Sequence, residues 1–127
     1  MLLGMGGSSL APEVFQKTFG NATGYPALTV LDSTHPDAVQ GAAARIDPGK
    51  TLFLVSSKSG GTQETISFFR FFHTQVSEVS DTPGSHFVAI TDPGSSLSTL
   101  AEEYGFRRIF ETPPDVGGRY SAFTWFG

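Results

Sequence analysis

The sequence of 127 residues has no cysteine, which excludes a disulfide framework and thiolate chemistry and is compatible with the cytoplasm. Basic residues are also few: 8 Lys and Arg stand against 12 Asp and Glu, and their scattered positions argue against a nucleic-acid groove. No apolar run approaches the roughly 18–20 residues of a membrane span, and the first residues lack the basic region of a signal peptide. The three histidines lie far apart without metal-ligand spacing, so we expect no metal site.

The apolar residues instead predict a single folded domain. They make up 39% of the chain and include twelve Phe, so the composition is not that of a disordered segment. Short β-rich runs at residues 1–3, 27–31, 51–55, 86–91 and 106–110 alternate with helical patterns at residues 9–19, 36–46, 62–76 and 96–104. Strands separated by helices of this length indicate right-handed βαβ units. We therefore predict one α/β domain over residues 1–127, a three-layer α/β/α sandwich with a five-stranded parallel sheet.

One predicted helix is unusually rich in phenylalanine. At 100° per residue, Phe68, Phe69, Phe71 and Phe72 span an arc of about 160°, wider than the stripe of a simple surface helix. A deeply buried core helix is the favoured interpretation. Contact with another domain or subunit is the alternative.

The turn after the third predicted strand concentrates groups that bind phosphate. Ser57, Lys58, Ser59 and Thr62 surround two glycines and precede a helix. Hydroxyls donate to phosphate oxygens, lysine supplies a point charge, and glycines let backbone N–H groups approach the anion at a helix N-terminus. The alternative is an ordinary loop in which Ser and Thr only cap the helix. Capping needs one hydroxyl and this turn has several, so we favour a phosphate site.

Two further segments follow predicted strands: Gly-Met-Gly-Gly-Ser-Ser at residues 4–9 and Asp-Val-Gly-Gly-Arg-Tyr-Ser at residues 115–121. Ligands of open parallel sheets bind beyond the carboxyl ends of the strands, so we expect both segments to meet the phosphate turn at one edge. Arg119 offers a fork of donors for an anion. A surface arginine after a flexible loop is the alternative.

Two other classes of protein remain open at this point. The pattern Gly4-x-Gly6-x-x-Ser9, with Asp32 ending the next predicted strand, imitates the fingerprint of an NAD(P)-binding Rossmann domain. Its third position is Ser where Gly or Ala is expected. A non-catalytic sugar-phosphate-binding module would share the phosphate turn, but it would have no reason to carry the segment around Arg119.

Three motifs, GMGGSSLAP at residues 4–12, SKSGGTQET at residues 57–65 and GGRYS at residues 117–121, resemble signatures of the glucose-6-phosphate isomerase family in the same order. The resemblance covers essentially the whole chain and looks closest to the bacterial form fused behind a transaldolase. It implies a sugar-isomerase (SIS) domain with flavodoxin-like strand order. It also implies the aldose–ketose interconversion of glucose 6-phosphate and fructose 6-phosphate in glycolysis and gluconeogenesis, without a metal or other cofactor, in a homodimer.

The resemblance also assigns roles to individual residues. Phosphate binding falls to Ser57, Lys58, Ser59 and Thr62, and sugar binding to Gly7 and Ser8. Arg119 matches the arginine that stabilises the enediolate intermediate. Glu64 matches a carboxylate near the site, although an acidic residue favoured by the helix dipole is an equal explanation.

The chain departs from the family in two respects. Gly60-Gly61 stands where the family often has Phe-Thr or Thr-Thr, so a hydroxyl that grips phosphate is lost. The family's catalytic glutamate, ring-opening histidine and late lysine all follow the GGRYS segment, and this sequence ends six residues after Ser121. We therefore expect an N-terminal portion of an isomerase that binds sugar phosphate weakly and does not catalyse alone.

Overall fold

The computed structural model describes residues 1–124 and 126, and for Gly118 and Arg119 it describes the backbone alone. Within this part of the chain, five strands alternate with four α-helices. Their order is β1 (Leu2–Gly4), α1 (Gly7–Phe19), β2 (Val30–Leu31), α2 (Pro36–Ala43), β3 (Phe53–Ser56), α3 (Gln63–Ser77), β4 (Phe87–Thr91), α4 (Ser96–Glu103) and β5 (Arg108–Glu111). Short 3-10 helices span Pro48–Lys50, Pro83–His86 and Gly118–Phe123.

The strands form one parallel sheet in the order β2-β1-β3-β4-β5. This is the flavodoxin-like order, in which the direction of the winding switches between β1 and β3. Right-handed crossovers then place α1 on one face of the sheet and α2, α3 and α4 on the other. The 3-10 helix Gly118–Phe123 packs beside α1. The predicted fold class and strand order are confirmed.

The ends of the second strand and the second helix differ most from the prediction, by three residues each, and those of the other elements differ by one or two residues. The second strand was predicted over residues 27–31, but only Val30 and Leu31 pair with β1, and the Leu28 amide donates to Asn21 Oδ1 in the preceding loop (3.1 Å). The second helix was predicted to residue 46, but α2 ends at Ala43. Ile46 then donates to Ala43 at the tighter i→i−3 spacing, so the last turn is no longer α-helical.

The core lies between the sheet and α3. Phe53 stands 5.0 Å, centroid to centroid, from both Phe72 on α3 and Phe87 on β4. Phe68, Phe69 and Phe72 are buried, whereas Phe71 is 37% exposed. Three of the four phenylalanines of this helix therefore belong to the core, and Phe71 alone among them reaches the surface.

The sequence predicts neither a metal site nor a helix that crosses a membrane. Among the described residues, no three His, Asp or Glu side chains come close enough together to hold a metal ion. In the same part of the chain, every helix is too short or too polar to cross a membrane.

Candidate functional site

A cavity of about 660 Å³ opens at the carboxyl ends of β1 and β3, next to the switch in winding direction. All three segments singled out in the sequence contribute to it. The residues that line it are Met5, Gly6, Gly7 and Ser8, then Lys58, Ser59 and Thr62, then Gly117, Tyr120 and Ser121. The structure thus brings together the three loops that were expected to meet at one edge of the sheet.

The loop after β1 is shaped by close packing at its glycines. A Cβ atom on Gly4 would lie 3.0 Å from Ser8 Cβ and 3.2 Å from the Ser56 carbonyl oxygen, so glycine lets the first turn of α1 pack against the end of β3. Gly6 has φ +57°, the left-handed region that glycine tolerates best. The Ser9 hydroxyl donates to the Gly6 carbonyl (3.1 Å). Helix α1 consequently starts at the cavity wall, with Gly7 and Ser8 lining it.

The turn between β3 and α3 is held by two of its own hydroxyls. Ser57 Oγ lies 2.9 Å from Thr62 Oγ1, and Ser57 is buried while Thr62 is half-buried. Thr62 is the N-cap residue of α3, yet its side chain makes no capping bond to an amide among the described residues. The Thr62 hydroxyl therefore points to Ser57 and caps no α3 amide within the described part of the chain.

Lys58 is directed toward the ends of two other strands. Its side chain is 10% exposed, and Nζ lies 2.5 Å from Asp92 Oδ1 and 2.5 Å from the Pro113 carbonyl oxygen. The Thr112 hydroxyl donates to the same Asp92 oxygen (2.7 Å). The ammonium is thus balanced by a carboxylate within the protein, although Lys58 also lines the cavity.

The two glycines of the turn are not equivalent. Gly60 has φ +74°, and a Cβ there would lie 2.7 Å from Ser95 Cβ and 2.8 Å from the Leu97 amide nitrogen. The Gly60 carbonyl accepts the Ser96 hydroxyl (2.7 Å), which ties the turn to the start of α4. At Gly61 a Cβ would meet no atom of the described residues within 4 Å. Gly60 is therefore fixed by geometry, whereas Gly61 has room for a side chain.

Four other candidate residues are not placed in the cavity, and one of them, Ser57, is only 1% exposed and absent from the described lining. The Arg119 side chain lies outside the described residues, although its neighbours Gly117, Tyr120 and Ser121 line the cavity. Glu64 is exposed in the first turn of α3 and is absent from the described lining. Asp32 is exposed after β2, at an outer edge of the sheet.

The strand order also argues against a dinucleotide site. In the Rossmann order 3-2-1-4-5-6, the first strand lies between the second and fourth strands. Here β1 lies between β2 and β3. The glycine pattern of residues 4–9 thus follows the first strand of a sheet with flavodoxin-like order, and not of a sheet with the Rossmann order.

Sequence reasoning missed Asp92 and Thr112 as part of this site. By composition, the segment Asp92-Pro93-Gly94 predicts only a turn after the fourth strand. A signal was present, since an acidic residue directly after a buried parallel strand lies at the edge where ligands bind.

Comparison with known proteins agrees with this geometry. The family model for phosphoglucose isomerase matches residues 1–127. The chain is 35% identical to a glucose-6-phosphate isomerase from Cyanothece, over 98% of this chain and 24% of that protein. It is 34% identical to a glucose-6-phosphate isomerase from Thermus thermophilus, over 100% of this chain and 30% of that protein.

Two solved structures share the fold. A hypothetical protein from Thermus thermophilus superposes with a TM-score of 0.87 at 34% identity, over 99% of this chain and 30% of that chain. A glucose-6-phosphate isomerase from Chlamydia trachomatis superposes with a TM-score of 0.85 at 28% identity, over 99% of this chain and 24% of that chain. The chain spans about a quarter to a third of the length of the curated relatives it matches. With the whole of its length matched and the fold shared, this chain belongs to the phosphoglucose isomerase family.

Proposed function

We propose that this chain is part of a glucose-6-phosphate isomerase, which interconverts glucose 6-phosphate and fructose 6-phosphate, and that it supplies the phosphate-binding turn. The observation that carries the proposal is the Ser57–Thr62 hydroxyl pair at the start of α3. Neither hydroxyl is committed to a helix cap, and both stand beside the positive end of the helix dipole. Such a pair can exchange its mutual hydrogen bond for two bonds to a phosphate.

The remaining groups of the turn complete the phosphate site. The Ser59 side chain lines the cavity together with Thr62. Lys58 carries the only charge among residues 57–62, but its ammonium is paired with Asp92, so we do not count it as a direct ligand of the phosphate. Phosphate held here would anchor the substrate away from the reacting carbons and position the sugar along the cavity.

The sugar would extend toward the other two loops. We assign Gly7 and Ser8 to sugar contacts because they line the cavity across from the phosphate turn. Arg119 is assigned the stabilisation of the enediolate oxyanion, a task that requires a preorganised positive group. Support for it comes from the position of its neighbours in the cavity wall. Glu64, which is exposed, is assigned to the edge of the sugar site.

Isomerisation also needs a base that moves a proton between C2 and C1, and an acid or base that opens the ring. Neither His35, His73 nor His86 lines the cavity among the described residues. We therefore assign these groups to polypeptide beyond this chain, and we expect the chain alone to bind weakly and not to catalyse. Homodimer formation, a cytoplasmic location and fusion behind a transaldolase stay predictions.

Isothermal titration calorimetry of the chain with fructose 6-phosphate tests the proposal, with fructose and inorganic phosphate as controls. Thr62→Val keeps the shape of the side chain and removes the hydroxyl, whereas Thr62→Ser keeps the hydroxyl. A hydrogen bond to a charged group is worth about 1.5–3 kcal/mol, so Thr62→Val is expected to weaken binding about 10- to 100-fold. Equal affinity for fructose and fructose 6-phosphate, or equal affinity of the two variants for fructose 6-phosphate, would contradict the assignment.

A further inference from the structure

We propose that Lys58 acts as a positioning residue, and this inference rests on the proposed phosphate site. Its ammonium joins the β3–α3 turn to the loop after β5, so that residues 117–121 keep their place across the cavity from the phosphate turn. Lys58 would then serve the site through Asp92 and Pro113, and not as a direct ligand of the phosphate.

The contacts of Lys58 cover three consecutive strand ends. Its carbonyl oxygen accepts the Asp92 amide (3.0 Å) and the Thr91 hydroxyl (3.3 Å), which fixes its backbone to the end of β4. Its ammonium then reaches Asp92 Oδ1 and the Pro113 carbonyl oxygen, each at 2.5 Å. Pro113 directly follows Thr112, whose amide donates to the Thr91 carbonyl oxygen (3.0 Å) as the last bond between β4 and β5. Lys58 thus holds the chain where it leaves the sheet toward Gly117.

The charges in this cluster argue against a direct role in phosphate binding. Two of the three ammonium donors of Lys58 are used within the protein, and its charge is balanced by Asp92. If the ammonium turned to a phosphate, it would leave a carboxylate that is only 22% exposed, with Thr112 as its remaining donor among the described side chains. Separating a largely buried ion pair in this way is strongly unfavourable.

The two roles predict opposite effects for Asp92→Asn. If Lys58 binds phosphate directly, removing the carboxylate frees the ammonium and raises the affinity for inorganic phosphate. If Lys58 is a positioning residue, Asp92→Asn and Lys58→Met break the same link. Both then lower the affinity for fructose 6-phosphate about tenfold, the double variant is no worse than either single variant, and inorganic phosphate binding changes by less than about twofold.

Hydrogen exchange of the ligand-free chain gives a readout that does not depend on substrate. We expect amides of residues 112–121 to exchange about tenfold faster or more in Lys58→Met and Asp92→Asn, while Val55 and Ala89 in the core stay protected. Lys50→Met is the matched control, because Lys50 also pairs with an aspartate, Asp47 (3.3 Å), but its side chain is 84% exposed. If a variant loses protection in the core, Thr112→Val, which removes only the second donor to Asp92, replaces it.

The outcomes test two claims separately: the positioning role of Lys58 and the proposed phosphate site. Faster exchange confined to residues 112–121, with non-additive losses of fructose 6-phosphate affinity, supports the positioning role. Unchanged exchange in both variants, or a gain of phosphate affinity in Asp92→Asn, overturns it. If the unmodified chain binds neither fructose 6-phosphate nor phosphate, the proposed function fails, and the exchange data still decide whether Lys58 links the two loops.

Discussion

We expect Gly60→Ala to lower the free energy of unfolding more than Gly61→Ala does at the neighbouring position. Gly60 has φ +74°, and left-handed backbone costs a residue with a Cβ about 1–2 kcal/mol. The added Cβ would also lie 2.7 Å from Ser95 Cβ and 2.8 Å from the Leu97 nitrogen, well inside the usual carbon contact of about 3.5–4.0 Å. The Leu97 nitrogen belongs to the α4 backbone, so it cannot move without shifting the helix.

The expected loss of stability follows from these two effects. Overpacking of a closely packed site costs about 1–3 kcal/mol, which adds to the backbone term. Alanine also restricts the unfolded chain more than glycine does, which stabilises the folded state by about 0.4–1 kcal/mol and offsets part of this loss. We therefore expect Gly60→Ala to lower the free energy of unfolding by about 2–4 kcal/mol. Gly61→Ala, with open space around its Cβ, should leave it unchanged or raise it slightly.

Urea unfolding followed by far-ultraviolet circular dichroism measures both variants. A loss of this size is a large share of the stability of a typical domain, about 5–15 kcal/mol, so the midpoint should shift clearly. Equal midpoints for the two variants would refute the close contact between the turn and α4. A destabilised Gly61→Ala with a normal Gly60→Ala would show that the roles of the two glycines are reversed.

Three further predictions concern the phosphate turn, the core and pH. Gly61→Thr adds a hydroxyl to the phosphate turn where there is room for it, so calorimetry should show phosphate affinity raised by about two- to tenfold, and Gly61→Ala should not raise it. Phe69→Ala, which removes a fully buried ring, should lower the free energy of unfolding by about 3–5 kcal/mol in urea titrations, whereas the partly exposed Phe71→Ala should cost clearly less. Burial holds the pKa of His73 below its usual 6.5, so the unfolded chain binds the proton more tightly. Stability should therefore fall as pH drops below about 6.5, and a His73→Gln variant with the same pH dependence would contradict this.

The alternation of strands and helices made the fold predictable from sequence. Buried parallel strands appear as short apolar runs, such as residues 51–55 and 86–91, and turn residues mark their ends. The second strand was predicted too long because Ala27 and Leu28 extend the apolar run that leads into Val30, while the loop before them uses the Leu28 amide. Local propensity cannot foresee such a competing hydrogen bond.

The candidate site was predictable in its loops but not in its internal contacts. Hydroxyl and glycine clusters after strands pointed to residues 57–62 because topology places such turns at one edge. The Lys58–Asp92 pair joins residues 34 positions apart, and nothing local distinguishes a lysine that meets an anionic ligand from one that meets a carboxylate. Likewise, the demand for glycine at position 60 comes from α4, which follows 36 residues later at Ser96.

Chemical-shift mapping tests most directly whether the three loops form the sugar-phosphate site. The ¹H–¹⁵N spectrum of the chain would be followed during titration with fructose 6-phosphate, with fructose as the control. We expect saturable shifts concentrated at residues 5–8, 58–63 and 117–121, absent with fructose and weakened in Thr62→Val. Shifts that cluster elsewhere, such as around Asp32 beside β2, or a folded chain that shows no shifts at high ligand concentration, would contradict it.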